Sequence, residues 1–139
     1  GSELDGAFCY SILEKFFLGM DDDFELSMMH KETLNNLINI LAQRDSELGQ
    51  PVRISHRKRA AIDNYCTAAI SNGLMEPDVA LDFAISQHIL PHIEGYGSKF
   101  KNRLYKAQEI IGKSYPKTSK HLERILTSGN EFTGTYSFF

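Results

Sequence analysis

The chain has 139 residues, 42% hydrophobic and 24% charged, with a net charge of −3. That is enough for one compact domain, or a small domain with a helical arm, and too ordinary for a disordered chain or a fibre. Apolar runs such as Phe16-Phe17-Leu18 and Ala60-Ala61-Ile62 are broken by charges far short of the roughly 20 residues that span a bilayer, so no membrane segment is expected.

Gly1-Ser2 reads as a scar of tag removal, and no signal peptide follows it. From Ala7 to Met20, Phe8, Ile12, Leu13, Phe16, Phe17 and Met20 recur at helical spacing along one side, which predicts a first helix. Gly19 and the run Asp21-Asp22-Asp23 are expected to end it in a solvated linker. A second helix is predicted from Ser27 to Leu48 on Leu34, Leu37, Ile38, Leu41 and Leu48, stopped by Gly49 and Pro51. Ser55 is placed to cap a third, His56 to Ser71, with Ala61, Ile62, Tyr65, Cys66, Ala69 and Ile70 inward and Asn72-Gly73 closing it.

Pro77 suits the first turn of a fourth helix that continues towards Leu90 and is apolar on most sides. Such a helix is expected at the centre, flanked by the third and fifth. Pro91 ends or bends it, and Gly95-Tyr96-Gly97 reads as a turn. A fifth helix follows from Ser98 to Lys113 on Phe100, Leu104, Ala107, Ile110 and Ile111. A sixth begins after Pro116, carries Leu122, Ile125 and Leu126, and stops at Gly129. The aromatic tail, Phe132 to Phe139, is expected to pack back on the domain. No strand longer than four residues is predicted, so the fold class is all-α, a compact bundle of about six helices.

Charge divides the chain. Residues 1–50 carry ten acids against Lys15, Lys31 and Arg44, and residues 51–139 carry twelve Lys and Arg against eight acids. The expected organisation is an acidic N-terminal helical segment over residues 1–50 and a helical domain over residues 51–139. Cys9 and Cys66 sit among apolar neighbours without CxxC spacing, which suits two small buried hydrophobes in a reducing, cytoplasmic setting.

The common phosphate loops, nucleophile elbows and zinc motifs are missing from the sequence, and no metal site is expected. His88 and His92 have the i, i+4 spacing of a helical metal pair, but Pro91 lies between them and no carboxylate accompanies them. The densest charge feature is Arg53, His56, Arg57, Lys58 and Arg59. Cations in the first turn of a helix meet the positive end of its dipole, so an anion is expected to compensate them there. A second basic set, Lys99, Lys101, Arg103, Lys106 and Lys113, is spread around the fifth helix, a pattern that ordinarily serves solubility.

The segment Ile54-Ser55-His56-Arg57, the block from Ala80 to Gly95 (ALDFAISQHILPHIEG), the stretch from Tyr115 to Leu122 and the end Tyr136-Ser137-Phe138-Phe139 together resemble the C-terminal part of AAA+ NTPases of the McrB type. The likeness covers roughly residues 34 to 139. It implies that the domain from about residue 51 is the helical lid over a nucleotide held by a preceding α/β NTPase domain, with an N-terminal helical extension. It places Arg57 at the sensor-two position, which reaches the nucleotide phosphates, with Arg53, His56 and Arg59 as supporting charge. The implied cofactor of such a parent protein is ATP or GTP with Mg, and the implied partners are the NTPase domain and neighbouring subunits, with DNA reached indirectly in a restriction or defence system. The phosphate loop, the magnesium-binding acids and the arginine finger of that family have no counterpart in this sequence, so the chain is expected to be non-catalytic by itself. Residues 3 to 30 match no part of the family. Two other readings remain open at this stage: a free-standing helical protein-interaction domain, and a small DNA-binding module using the basic C-terminal half.

Overall fold

The computed structural model describes residues 21–129 and 134–139, with side chains from Met28 onward. Five α-helices are present among them: α1 (Asp21–Ala42), α2 (His56–Ser71), α3 (Pro77–His88), α4 (Gly97–Ile111) and α5 (Pro116–Ser128). Short 3-10 turns lie at Ser46–Leu48 and Leu90–His92, and two three-residue strands, β1 (Glu94–Tyr96) and β2 (Thr135–Ser137), pair antiparallel. The helix expected over Ala7–Met20, Phe132 in the tail and Cys9 lie outside the described residues.

The helices begin and end where local chemistry directs. Ser55 accepts a hydrogen bond from the Lys58 amide at 3.2 Å and starts α2. At its other end the Asn72 backbone N–H donates to Ala68 O and Gly73, at φ +66°, turns the chain away. Pro77 and Pro116 open α3 and α5, where their missing N–H costs nothing. Leu34, Leu37 and Leu41 of α1, Ile62, Cys66 and Ala69 of α2, Ala80, Leu81, Ala84 and Ile85 of α3, Phe100, Leu104 and Ala107 of α4, and Leu122 and Ile125 of α5 join one buried cluster. α1 thus shares its apolar stripe with the helices of the C-terminal half.

Four expectations are corrected. Asp21–Asp23 lie within α1 rather than in a linker; charge density alone does not separate a solvated helical turn from a solvated coil. The second predicted helix does not reach Leu48. It stops at Ala42, and Asp45 caps a separate turn by accepting from the Glu47 amide at 2.9 Å. The apolar α3 is flanked by α2 and α5, while α4 packs against α1 and α5. Gly95 and Tyr96 are strand rather than turn, with Glu94 opposite Ser137, Gly95 opposite Tyr136 and Tyr96 opposite Thr135. Three-residue strands 40 residues apart leave no alternating pattern to read.

The strand pair holds the tail on the body. Tyr136 is buried against Phe100, with ring centroids 6.4 Å apart. A Cβ on Gly129 would stand 2.1 Å from the Tyr136 ring, and one on Gly95 would stand 2.5 Å from the Phe100 ring, so both seats require glycine. Phe138 rests on α5 against His121 and Arg124, whereas Phe139 is exposed.

The break in the second predicted helix has a specific cause. Arg103, expected among solvated cations, is fully buried in α4. Its Nη1 donates to Ile40 O, Gln43 O and Leu41 O at 2.8, 2.8 and 3.2 Å, its Nε to Leu48 O at 3.0 Å and its Nη2 to Gly49 O at 3.0 Å. Leu41 O also accepts from the Val52 amide at 2.8 Å. The guanidinium thereby satisfies the carbonyls that a helix end leaves open, and the chain turns around it. Burial lowers the Arg103 pKa, opposed by the charge of Asp45, but guanidinium remains protonated at any ordinary pH. Arg103→Met, which keeps the stem and removes the donors, is expected to cost about 3–5 kcal/mol in urea unfolding; a loss within 1 kcal/mol would show that water replaces the guanidinium at these carbonyls.

Candidate functional site

The basic cluster before and within the first turn of α2 is divided by the fold. Arg53, His56 and Arg57 are exposed, and Lys58 and Arg59 are half-buried. Arg59 Nη2 donates to Asn35 Oδ1 of α1, so this cation ties α2 to α1. Lys58 stands near His88 at the end of α3. The His88 pKa is lowered by burial first and by the charge of Lys58 second. Arg57 has no hydrogen-bond or ion-pair partner among the described residues, and the first turn of α2 contains no acid. The structure therefore brings Arg53, His56 and Arg57 to one solvent-facing helix entrance and assigns Arg59 to packing.

A second helix entrance supplies the contrast. At the start of α5 the Lys117 and Thr118 amides donate to Asp82 Oδ2 and Oδ1 at 2.9 and 2.7 Å, and Thr118 Oγ1 donates to Asp82 Oδ1 at 2.7 Å. Asp82 is 4% exposed and comes from the middle of α3. This carboxylate is the anion that a helix N-terminus favours, delivered by the chain itself. At α2 only the neutral Ser55 hydroxyl caps, and the solvent-facing cation Arg57 adds to the positive end of the dipole. An exposed phosphate or carboxylate would be received there by charge and by geometry.

His88 and His92 do not share a helix face, because α3 ends at His88 and His92 falls in the following 3-10 turn. Among the described residues no group of three or more His, Cys, Asp or Glu is close enough to hold a metal. Cys66 is buried, and its thiol pKa is pushed up to about 12 by burial and by the nearby Asp63, which keeps it protonated. No helix among the described residues is long and apolar enough to cross a membrane.

Besides Arg103, sequence reading missed two polar junctions. Asp82 had a signal, an acid in the middle of an otherwise apolar helix. The other, His30 with Tyr115, had none: Nδ1 lies 2.5 Å from the Tyr115 hydroxyl, 85 residues away, with the rings edge-on at 5.8 Å. His30 Nε2 is buried without a partner among the described residues.

These helices and the small strand pair define a mainly α-helical domain. The chain belongs to the DUF8727 family, described as a domain of unknown function, whose family model matches residues 8–134. No curated protein and no solved structure matches the chain.

The His30 environment sets a pH dependence. Burial lowers the His30 pKa, opposed by Asp78, and burial also lowers those of His88 and His121. Between the depressed folded values and the unfolded value of 6.5, the unfolded chain binds more protons. Stability is therefore fully present above pH ~6.5 and is lost as the pH falls below it towards the folded values. His30→Gln should flatten the decline of the urea midpoint in that acid range, and an unaltered slope would assign the decline to other groups.

Proposed function

We propose that this chain is the non-catalytic helical lid and oligomerisation domain of a McrB-like AAA+ NTPase, in which Arg57 senses the nucleotide phosphate. One observation carries the reading. Arg57 is an exposed guanidinium without a partner among the described residues, at a helix entrance that carries no acid in its first turn. The entrance of α5, by contrast, is closed by Asp82, so there the fold provides an internal anion and none need arrive from outside.

In this reading the α/β NTPase domain binds ATP or GTP with Mg, and closure of the lid brings Arg57 onto the phosphates. Arg53 adds positive potential at the same entrance, and His56 offers a ring N–H donor beside it. Arg57 also has the chemistry required: a planar guanidinium meets two phosphate oxygens at once and stays charged throughout the cycle. The phosphoryl transfer itself needs a phosphate cradle, a metal and a positioned water, all supplied by the NTPase domain. The packing of α2 on α3 gives a route by which closure is passed to the rest of the bundle. The partners are that domain, neighbouring subunits and, through them, DNA in a restriction or defence setting.

The test is Arg57→Ala in the protein that joins this domain to its NTPase domain. Nucleotide affinity is expected to fall about tenfold or more and turnover with it, a loss on the scale of a charge-assisted hydrogen-bond pair, while the melting temperature stays within a degree or two. Unchanged affinity and turnover, or the finding that no NTPase domain precedes this one in the natural protein, would remove the assignment.

A further inference from the structure

With Arg103 turned inward, α4 presents one broad face to solvent. Its buried residues Phe100, Arg103, Leu104, Ala107 and Ile111 span an arc of about 100° at the helical rotation per residue. Across from them Ser98, Asn102, Tyr105 and Glu109 run along the exposed middle, with half-buried Lys101 on one rim and exposed Lys99 and Lys106 on the other. All three lysines of α4 thus border the same outward face.

Two of the chain's exposed aromatic rings lie with them. Tyr105 is 46% exposed, with Lys101 Nζ 5.8 Å from its ring centroid. Tyr96, at the N-cap of α4, is 64% exposed and borders an open cleft lined by Gly49, Gln50, Gly97, Ser98 and Lys99. Lys99 and Lys106 are two turns apart, about 10 Å along the helix axis. Glu109 ends the basic stretch on one side and the exposed Glu94 on the other.

We propose that this face, from Tyr96 to Lys106, binds single-stranded nucleic acid, with the lysine rims taking phosphates and Tyr96 and Tyr105 stacking on unpaired bases. Interleaved aromatic and basic side chains are what a strand without a partner needs, because every base offers a π-face and every nucleotide a charge. A duplex hides those faces, so the aromatic part of this surface has no counterpart to stack on in paired DNA or RNA. An acidic peptide would use the lysines and the phenol hydroxyls as donors, but the electron-rich ring faces have nothing to offer a carboxylate. The surface is distinct in residues from the entrance at Arg57 and stands whether or not that entrance senses nucleotide.

The test is fluorescence anisotropy of a labelled 12-nucleotide oligothymidylate, the corresponding duplex and polyglutamate at 50 and 200 mM salt. Oligothymidylate is expected to bind most tightly and to weaken severalfold at the higher salt. Lys99→Ala with Lys106→Ala should weaken it about fivefold or more and reduce the salt dependence. Tyr105→Ala should weaken it about fivefold or more, the loss of one stacked base, with the salt dependence retained. Arg57→Ala should leave binding unchanged, and circular dichroism confirms that each variant is folded. The proposal is overturned by absence of binding at 50 mM salt, by equal or tighter binding of duplex or polyglutamate, by indifference to Tyr105→Ala, or by loss of binding on Arg57→Ala.

Discussion

The Arg103 guanidinium is the constraint around which the described structure is arranged. Five carbonyls converge on it, from the last turn of α1 through the loop to Gly49. Ile40 O and Leu41 O belong to the last turn of α1 and the others to the loop that follows it, and a buried carbonyl left unpaired is costly. One planar fork serves them all. The same contact pins α4 to α1 and brings Gly49 against Phe100, where a Cβ would stand 2.9 Å from the Phe100 amide nitrogen. The turn between α1 and α2 is therefore determined from α4.

Asp82 is the acidic counterpart. Placed inside the most apolar helix, it receives the amides that open α5 and fastens α5 to α3. Arg103 gathers carbonyls at a helix C-terminus and Asp82 gathers amides at a helix N-terminus, so each buried charge meets the end of a dipole that favours it. Neither behaves as a surface charge. With these two charges withdrawn into the core, Arg53 and Arg57 are among the cations left facing solvent at the entrance of α2, and Lys99 and Lys106 among those on the outer face of α4.

Much of the helical framework was legible from residues alone. The bounds His56–Ser71 for α2 match the expectation because Ser55 and Asn72-Gly73 act within one turn of the ends they define. Pro77, Pro116 and Gly129 marked α3 and α5 for the same reason. The candidate site was legible only in part. Arg53, His56 and Arg57 are solvent-facing at the start of α2, yet Arg59, two residues on, is held by Asn35, and nothing in the local sequence separates these cations from one another. Arg103 shares the helical arc of Phe100, Leu104 and Ala107, a sign of burial that its charge concealed.

What the residues determined by themselves is the mainly helical class, the starts and stops of helices, and the concentration of positive charge in the later part of the chain, since capping, proline geometry and apolar spacing act over one or two turns. What only the folded chain decided is which charges are inside, how the helices neighbour one another, and that β1 finds β2. Those outcomes depend on groups 35 to 63 residues apart being brought together, and whether a guanidinium is solvated or buried turns on carbonyls that no nearby part of the sequence reveals.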